Sequence, residues 1–134
     1  GVSEALSYDE EDRVTARTET VNGEPVTSSF AYDADTDRLS CVNIKEFDVL
    51  PFYDPMGREC KRTVWKNGSF LHGAYTTFAK YGDHATMRPS TLELHSSTDA
   101  HRFKYTYGES GNIEKINDRY LTQKAILRYN KSPT

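Results

Sequence analysis

Polar and apolar residues alternate along most of this chain, and reversing turns interrupt the alternation at short intervals. The stretch "RVTARTETV" puts Val14, Ala16, Thr18 and Thr20 on one side and Arg13, Thr15, Arg17 and Glu19 on the other. That period of two belongs to a half-buried strand. "VTSSFAY" follows, with Val26, Ser28, Phe30 and Tyr32 in phase. Asn22-Gly23 lies between them, and Asn-Gly flanked by alternating segments signals a hairpin. A two-residue loop would put Phe30 with the charged set. A three-residue loop, Asn22 to Glu24, pairs Val14 with Tyr32, Ala16 with Phe30, Thr18 with Ser28 and Thr20 with Val26. Only the longer loop unites the apolar faces, so it is the expected one; a one-residue slip turns every side chain over.

The pattern recurs downstream. Asn67-Gly68 separates two strand-like runs, with Trp65 on one side and Phe70 and Leu71 on the other. Leu92 and Leu94 face Phe103, Tyr105 and Tyr107 through a connection at Ser96 to Ala100. Ile113 and Ile116 precede an expected turn at Asn117-Asp118, with Ala125, Leu127 and Tyr129 beyond it. Residues 42 to 52 read as strand, but no turn is marked within them. The expectation is an all-β fold: an antiparallel meander of hairpin repeats in a curved or partly open sheet, forming one domain over 1–134.

One short motif punctuates this meander. Tyr8-Asp9 is followed by Arg13, Tyr32-Asp33 by Arg38, and Tyr53-Asp54 by Gly57-Arg58. Tyr107 is followed by Gly108, Gly111 and Asn112, and Tyr129 begins a truncated fifth copy. Tyr81-Gly82-Asp83 reads as a degraded one. A spacing near 22 fits two strands of about eight residues and two turns. Asp accepts hydrogen bonds from amides two residues on, so Asp33 and Asp54 should bond to backbone N–H groups at hairpin corners. Asp37, Gly57 and Gly111 suit the positive φ of a reversal. Each following Arg should lie with its stem over a ring and its head near the Asp. The Tyr32 corner should be one residue wider than the Tyr53 corner.

These stretches resemble the YD repeats of the Rhs family, whose unit runs roughly Tyr-Asp-x-x-Gly-Arg/Asn-hydrophobic. The resemblance implies five to six hairpin units excised from a longer secreted or cell-surface protein, in which hairpins wind into a shell that often accompanies a toxin. It carries over a structural role for Tyr8, Asp9, Arg13, Tyr32, Asp33 and Arg38, for Tyr53, Asp54, Gly57 and Arg58, and for Tyr107, Gly111 and Asn112. The implied partners are neighbouring repeats, with self-association through unpaired edge strands.

Other constellations point less clearly to chemistry. His72, His84, His95 and His101 have no metal-ligand spacing, although His95 and His101 flank one hairpin and are expected to approach across it. The acidic run at Tyr8 to Asp12 lacks the ligand pattern of a calcium loop. Cys41 and Cys60 are expected on opposite faces as separate thiols. Trp65, Phe70 and Tyr75 form a candidate ligand face for stacking a glycan, though such spacing more often serves packing. A net charge of -3 with interspersed signs gives no nucleic-acid footprint, and no apolar run is long enough to span a bilayer as a helix. The resulting expectation is a non-enzymatic structural module without metal or cofactor. A carbohydrate- or ligand-binding β module is the alternative, and a small barrel enzyme is a third reading.

Overall fold

The computed structural model of the protein describes residues 2–121. Ten strands pair in sequence order in one antiparallel sheet. They are β1 (Val2–Tyr8), β2 (Val14–Val21), β3 (Glu24–Tyr32), β4 (Leu39–Ile44), β5 (Phe47–Tyr53), β6 (Glu59–Lys66), β7 (Ser69–Tyr81), β8 (His84–Ser96), β9 (Ala100–Tyr107) and β10 (Ile113–Tyr120). The chain divides into two compact units. The first takes everything up to Pro51 together with Val64–Ser69, and the second takes Phe52–Thr63 and the chain from Phe70 onward.

In the first unit the β2–β3 register is Ala16↔Ser29, Thr18↔Thr27 and Val21↔Glu24, so the loop is Asn22-Gly23 alone. The expected three-residue loop is corrected by this register. Asn22 at φ 54° and Gly23 at φ 81° form a two-residue turn with both residues left-handed, which matches the twist of the flanking strands. Phe30 does fall beside the charged face of β2. Its apolar partners come from the other side, where Phe30 faces Val42 and Val42 faces Val49. Ile44 faces Phe47 in the next rung. The apolar face is therefore united across β3, β4 and β5.

The unmarked turn of this unit closes on Lys45 and Glu46, with Ile44 paired to Phe47 and Lys45 at φ 54°. The Asn43 side-chain amide supports it, donating to the Lys45 and Phe47 carbonyls and to Asp48 Oδ1 at 2.9–3.2 Å.

In the second unit β7 and β8 are thirteen residues each. They meet at Tyr81↔His84, so Gly82-Asp83 forms a two-residue turn after Tyr81 rather than an Asx corner. Asn117 and Asp118 do not turn: they lie inside β10, paired with Lys104 and Phe103. A ladder already pairing Tyr105 with Ile116 and His101 with Tyr120 overrides the local preference of Asn-Asp. The return strand expected at Ala125, Leu127 and Tyr129, and the fifth repeat, lie outside the described residues.

The core is thin. Among the described residues, the buried hydrophobic positions are Tyr75, Ala100 and Leu121, and the buried polar ones are Thr63, Glu93 and His95. With so little apolar volume buried, backbone ladders and corner geometry carry an unusual share of the fold's specification.

Candidate functional site

Four corners repeat one hydrogen-bond scheme. The amides of Asp9, Asp33, Asp54 and Gly108 donate to the carbonyls of Arg13, Arg38, Arg58 and Asn112 at 2.8–3.0 Å. A second bond tightens each corner, from the amides of Asp12, Asp37, Gly57 and Gly111 to the carbonyls of Asp9, Asp33, Asp54 and Gly108. The residue just before each Arg or Asn is left-handed, with φ 62° at Asp12 and Asp37, 84° at Gly57 and 86° at Gly111. The Asp33 corner spans one residue more than the Asp54 corner. Asp12, which the sequence reading does not single out, takes the same left-handed position before its Arg as Asp37 does.

In three corners the carboxylate organises the loop. Asp9 Oδ1 accepts the amides of Glu11 and Arg13, Asp33 Oδ1 those of Asp35 and Thr36, and Asp54 Oδ1 those of Met56 and Arg58. The second oxygen pairs with the guanidinium in two of them: Asp9 Oδ2 with Arg13 Nε at 2.8 Å, Asp54 Oδ2 with Arg58 Nε at 2.7 Å. The electrostatics follow. The Arg13 amide, opposed in part by desolvation, lowers the Asp9 carboxyl, and the Thr36 amide does the same for Asp33. Burial pushes Asp54 up, but the hydrogen bonds from Arg58 and Met56 outweigh it and hold the carboxyl below its ordinary value.

The Arg also reaches forward to the next aromatic ring. Arg13 lies 4.7 Å from the Tyr32 centroid, Arg58 4.4 Å from Phe78 and Arg88 5.8 Å from Tyr107, distances suited to cation–π attraction. The Tyr hydroxyls tie back eighteen residues: Tyr32 donates to the Val14 carbonyl at 2.8 Å and Tyr107 to the Pro89 carbonyl at 2.6 Å. Arg88, Pro89 and Tyr107 thus repeat the arrangement of Arg13, Val14 and Tyr32. In sequence, Arg88 had no Tyr-Asp before it to mark it.

Two residues of the candidate ligand face, Phe70 and Tyr75, lie on one strand and point apart. They are five residues apart on β7, which directs them to opposite faces. Phe70 and Trp65 are half-buried. Tyr75, 8% exposed, joins a buried polar cluster in the second unit. Glu93 and His95 lie on its face of β8, opposite Tyr75 and Gly73. Glu93 Oε1 lies 3.3 Å from His95 Nε2, and Glu93 Oε2 accepts from Arg102 Nη2 at 3.3 Å. The Tyr75 and His95 rings meet edge to face at 4.7 Å, and the Lys61 ammonium lies 5.6 Å from the Tyr75 centroid. Gly73 leaves room for this ring: a Cβ there would meet the Tyr75 ring and hydroxyl at 3.0–3.2 Å and press the ring to shift. In "LELH" the alternation sets Glu93 and His95 on the face opposite the Leu pair.

Burial, then the Glu93 charge, pushes the Tyr75 hydroxyl up to about 12. Burial lowers Lys61 and lowers His95, with Glu93 opposing the latter shift in part. A His whose folded value lies below its unfolded value leaves the unfolded chain binding more protons, so stability falls as pH drops through the unfolded value near 6.5. Thermal melts between pH 7.5 and 5 should show this decline, and His95→Gln should remove that part of the slope. An unchanged slope in the variant would contradict the burial argument.

The other candidates separate. His101 pairs with Leu94 across the ladder while His95 pairs with Ala100, so the two imidazoles face opposite ways and do not approach as expected. His101 contacts Asp118 and packs 4.2 Å from the Tyr120 ring. His72 and His84 are exposed. Cys41 and Cys60 are free thiols, both raised chiefly by burial. Among the described residues, no group of three or more His, Cys, Asp or Glu is arranged to hold a metal ion.

No family model matches this sequence, and no curated protein matches it. Among solved structures it is similar to a chain of the crystal structure of TcdB2-TccC3-Cdc42, with a TM-score of 0.43 and 14% sequence identity. The similarity covers 90% of this chain and 8% of that one, so the protein spans a small fraction of that chain's length.

Proposed function

We propose that the protein is a non-enzymatic structural module of a larger secreted or cell-surface protein of the YD-repeat (Rhs) type, whose partners are neighbouring repeats of the parent chain. The observation that supports this reading is the recurrence of one corner in four places, with the same backbone closure and left-handed position. Such an investment in turn geometry, beside a thin core, suits a chain that extends by adding hairpins rather than by enclosing a centre.

An array of this kind recognises its neighbours through strand edges. Among the described residues, β1 pairs only with β2, and all seven of its residues are exposed. Sedimentation velocity at rising concentration should therefore report self-association. Val2→Lys together with Leu6→Lys, which places charges at two exposed apolar positions of β1, should reduce it. A strict monomer at every concentration would overturn the edge-pairing reading.

A further inference from the structure

The corner at Gly108–Asn112 keeps the backbone scheme of the others but has Gly at both positions that carry Asp in the Asp33 corner, the second as in the Asp54 corner, where Gly57 reverses the chain. Gly108 stands where Asp9, Asp33 and Asp54 stand, and Gly111 where Asp37 stands. The difference has a consequence for Arg88. In the first unit, Arg13 lies over Tyr32 and donates from Nη1 to Asp37 Oδ1 at 2.8 Å; it is also paired with Asp9. Arg88 lies over Tyr107 in the same way. It forms no ion pair with a described carboxylate, and its Nη2 lies 2.6 Å from where a Cβ of Gly111 would be. The guanidinium thus sits over the position from which Asp37 reaches Arg13.

A cavity of about 270 Å³ opens beside it. Lys80 and Arg88 bring two cations to its wall, Tyr81 and Tyr107 bring rings, and Glu109 is the acidic group. The Tyr107 hydroxyl is already committed to the Pro89 carbonyl, so the ring and not the hydroxyl is offered. The Tyr81 ring is 77% exposed.

We propose that this cavity binds a carboxylate from outside the described fold, which takes on Arg88 the place that Asp37 takes on Arg13. A planar guanidinium held against a ring presents parallel N–H donors matched to a carboxylate, and Lys80 adds a second positive charge. The carboxylate has two sources with the same chemistry, a free small organic acid or the acidic side chain of a peptide segment. This proposal is independent of the scaffold reading.

Amide chemical shifts of the full chain, titrated with glutarate and with N-acetyl-aspartate N-methylamide, test it and separate the sources. Both probes should shift residues 108–112 in the millimolar range expected of a single ion pair. Tighter binding of the blocked aspartate assigns the site to a peptide segment, and tighter binding of glutarate to a free acid. Arg88→Gln should weaken either at least about tenfold. Gly111→Asp, which places a carboxylate at the Asp37 position, should abolish binding while leaving shifts away from the corner unchanged. The proposal is overturned if neither acid shifts the corner, if N-acetyl-asparagine N-methylamide binds as well as the aspartate, or if Arg88→Gln binds undiminished.

Discussion

Glu93→Ala should cost about 3 kcal/mol of folding stability, measured as a lowered midpoint in urea with an unchanged slope. Glu93 is 3% exposed and lies between two basic groups of its own face, His95 on the same strand and Arg102 across the β8–β9 ladder. Removing a buried partner leaves the other charge desolvated and uncompensated, which is where the large cost of breaking such a pair arises. Arg102 retains 28% side-chain exposure, so water partly replaces the lost carboxylate and keeps the effect near the lower end of that range. Glu93→Gln preserves volume and an acceptor and should lose roughly half as much. Glu93→Leu combined with Arg102→Met removes both charges and should recover most of the loss. A Glu93→Ala protein as stable as the parent would mean that the cluster is hydrated in solution and contributes little.

The all-β meander was legible because alternation and turn chemistry act locally. Val14 to Val21, the Asn-Gly dipeptides and the Asp33 and Asp54 corners each specify their geometry within a few residues. What escaped depends on which strand lies next to which. The β2–β3 loop was read from the apolar match between two strands, but Phe30 finds Val42 on β4, and the left-handed pair at Asn22-Gly23 sets the register by itself. Lys45 reverses the chain with no Asn-Gly, helped by an amide two residues earlier. The Asn117-Asp118 error runs the other way, a turn-forming pair held straight by its ladder to β9.

The same division holds at the candidate sites. Corner residues identified themselves by spacing. The Tyr75–Glu93–His95–Arg102 cluster draws on three strands, and no spacing within one strand reveals it. Arg88 became visible only when its place over Tyr107 could be compared with that of Arg13 over Tyr32.

Asp54→Ala should produce the largest loss among the corner residues, lowering Tm by roughly 8 °C. Three bonds end on this carboxylate: two backbone amides on Oδ1 and Arg58 Nε on Oδ2. Arg58 in turn donates to the Thr86 carbonyl and covers the Phe78 ring. Losing Asp54 therefore loosens the corner and releases the Arg that holds β8 to it. The side chains of this pair are 16% exposed each, against 24% and 28% for Asp9 and Arg13, so Asp9→Ala should cost less. Asp54→Asn separates the contributions, because Asn keeps an acceptor for the Met56 and Arg58 amides while giving up the charge. Its loss should fall between those of the parent and Asp54→Ala at neutral pH. The folded carboxyl titrates below its unfolded value of 3.8, so its stabilisation is complete above that value and disappears as pH falls through the folded one. The difference between parent and Asp54→Asn should accordingly close below about pH 3.8, and a difference that persists at lower pH would place the effect in packing rather than in the charge.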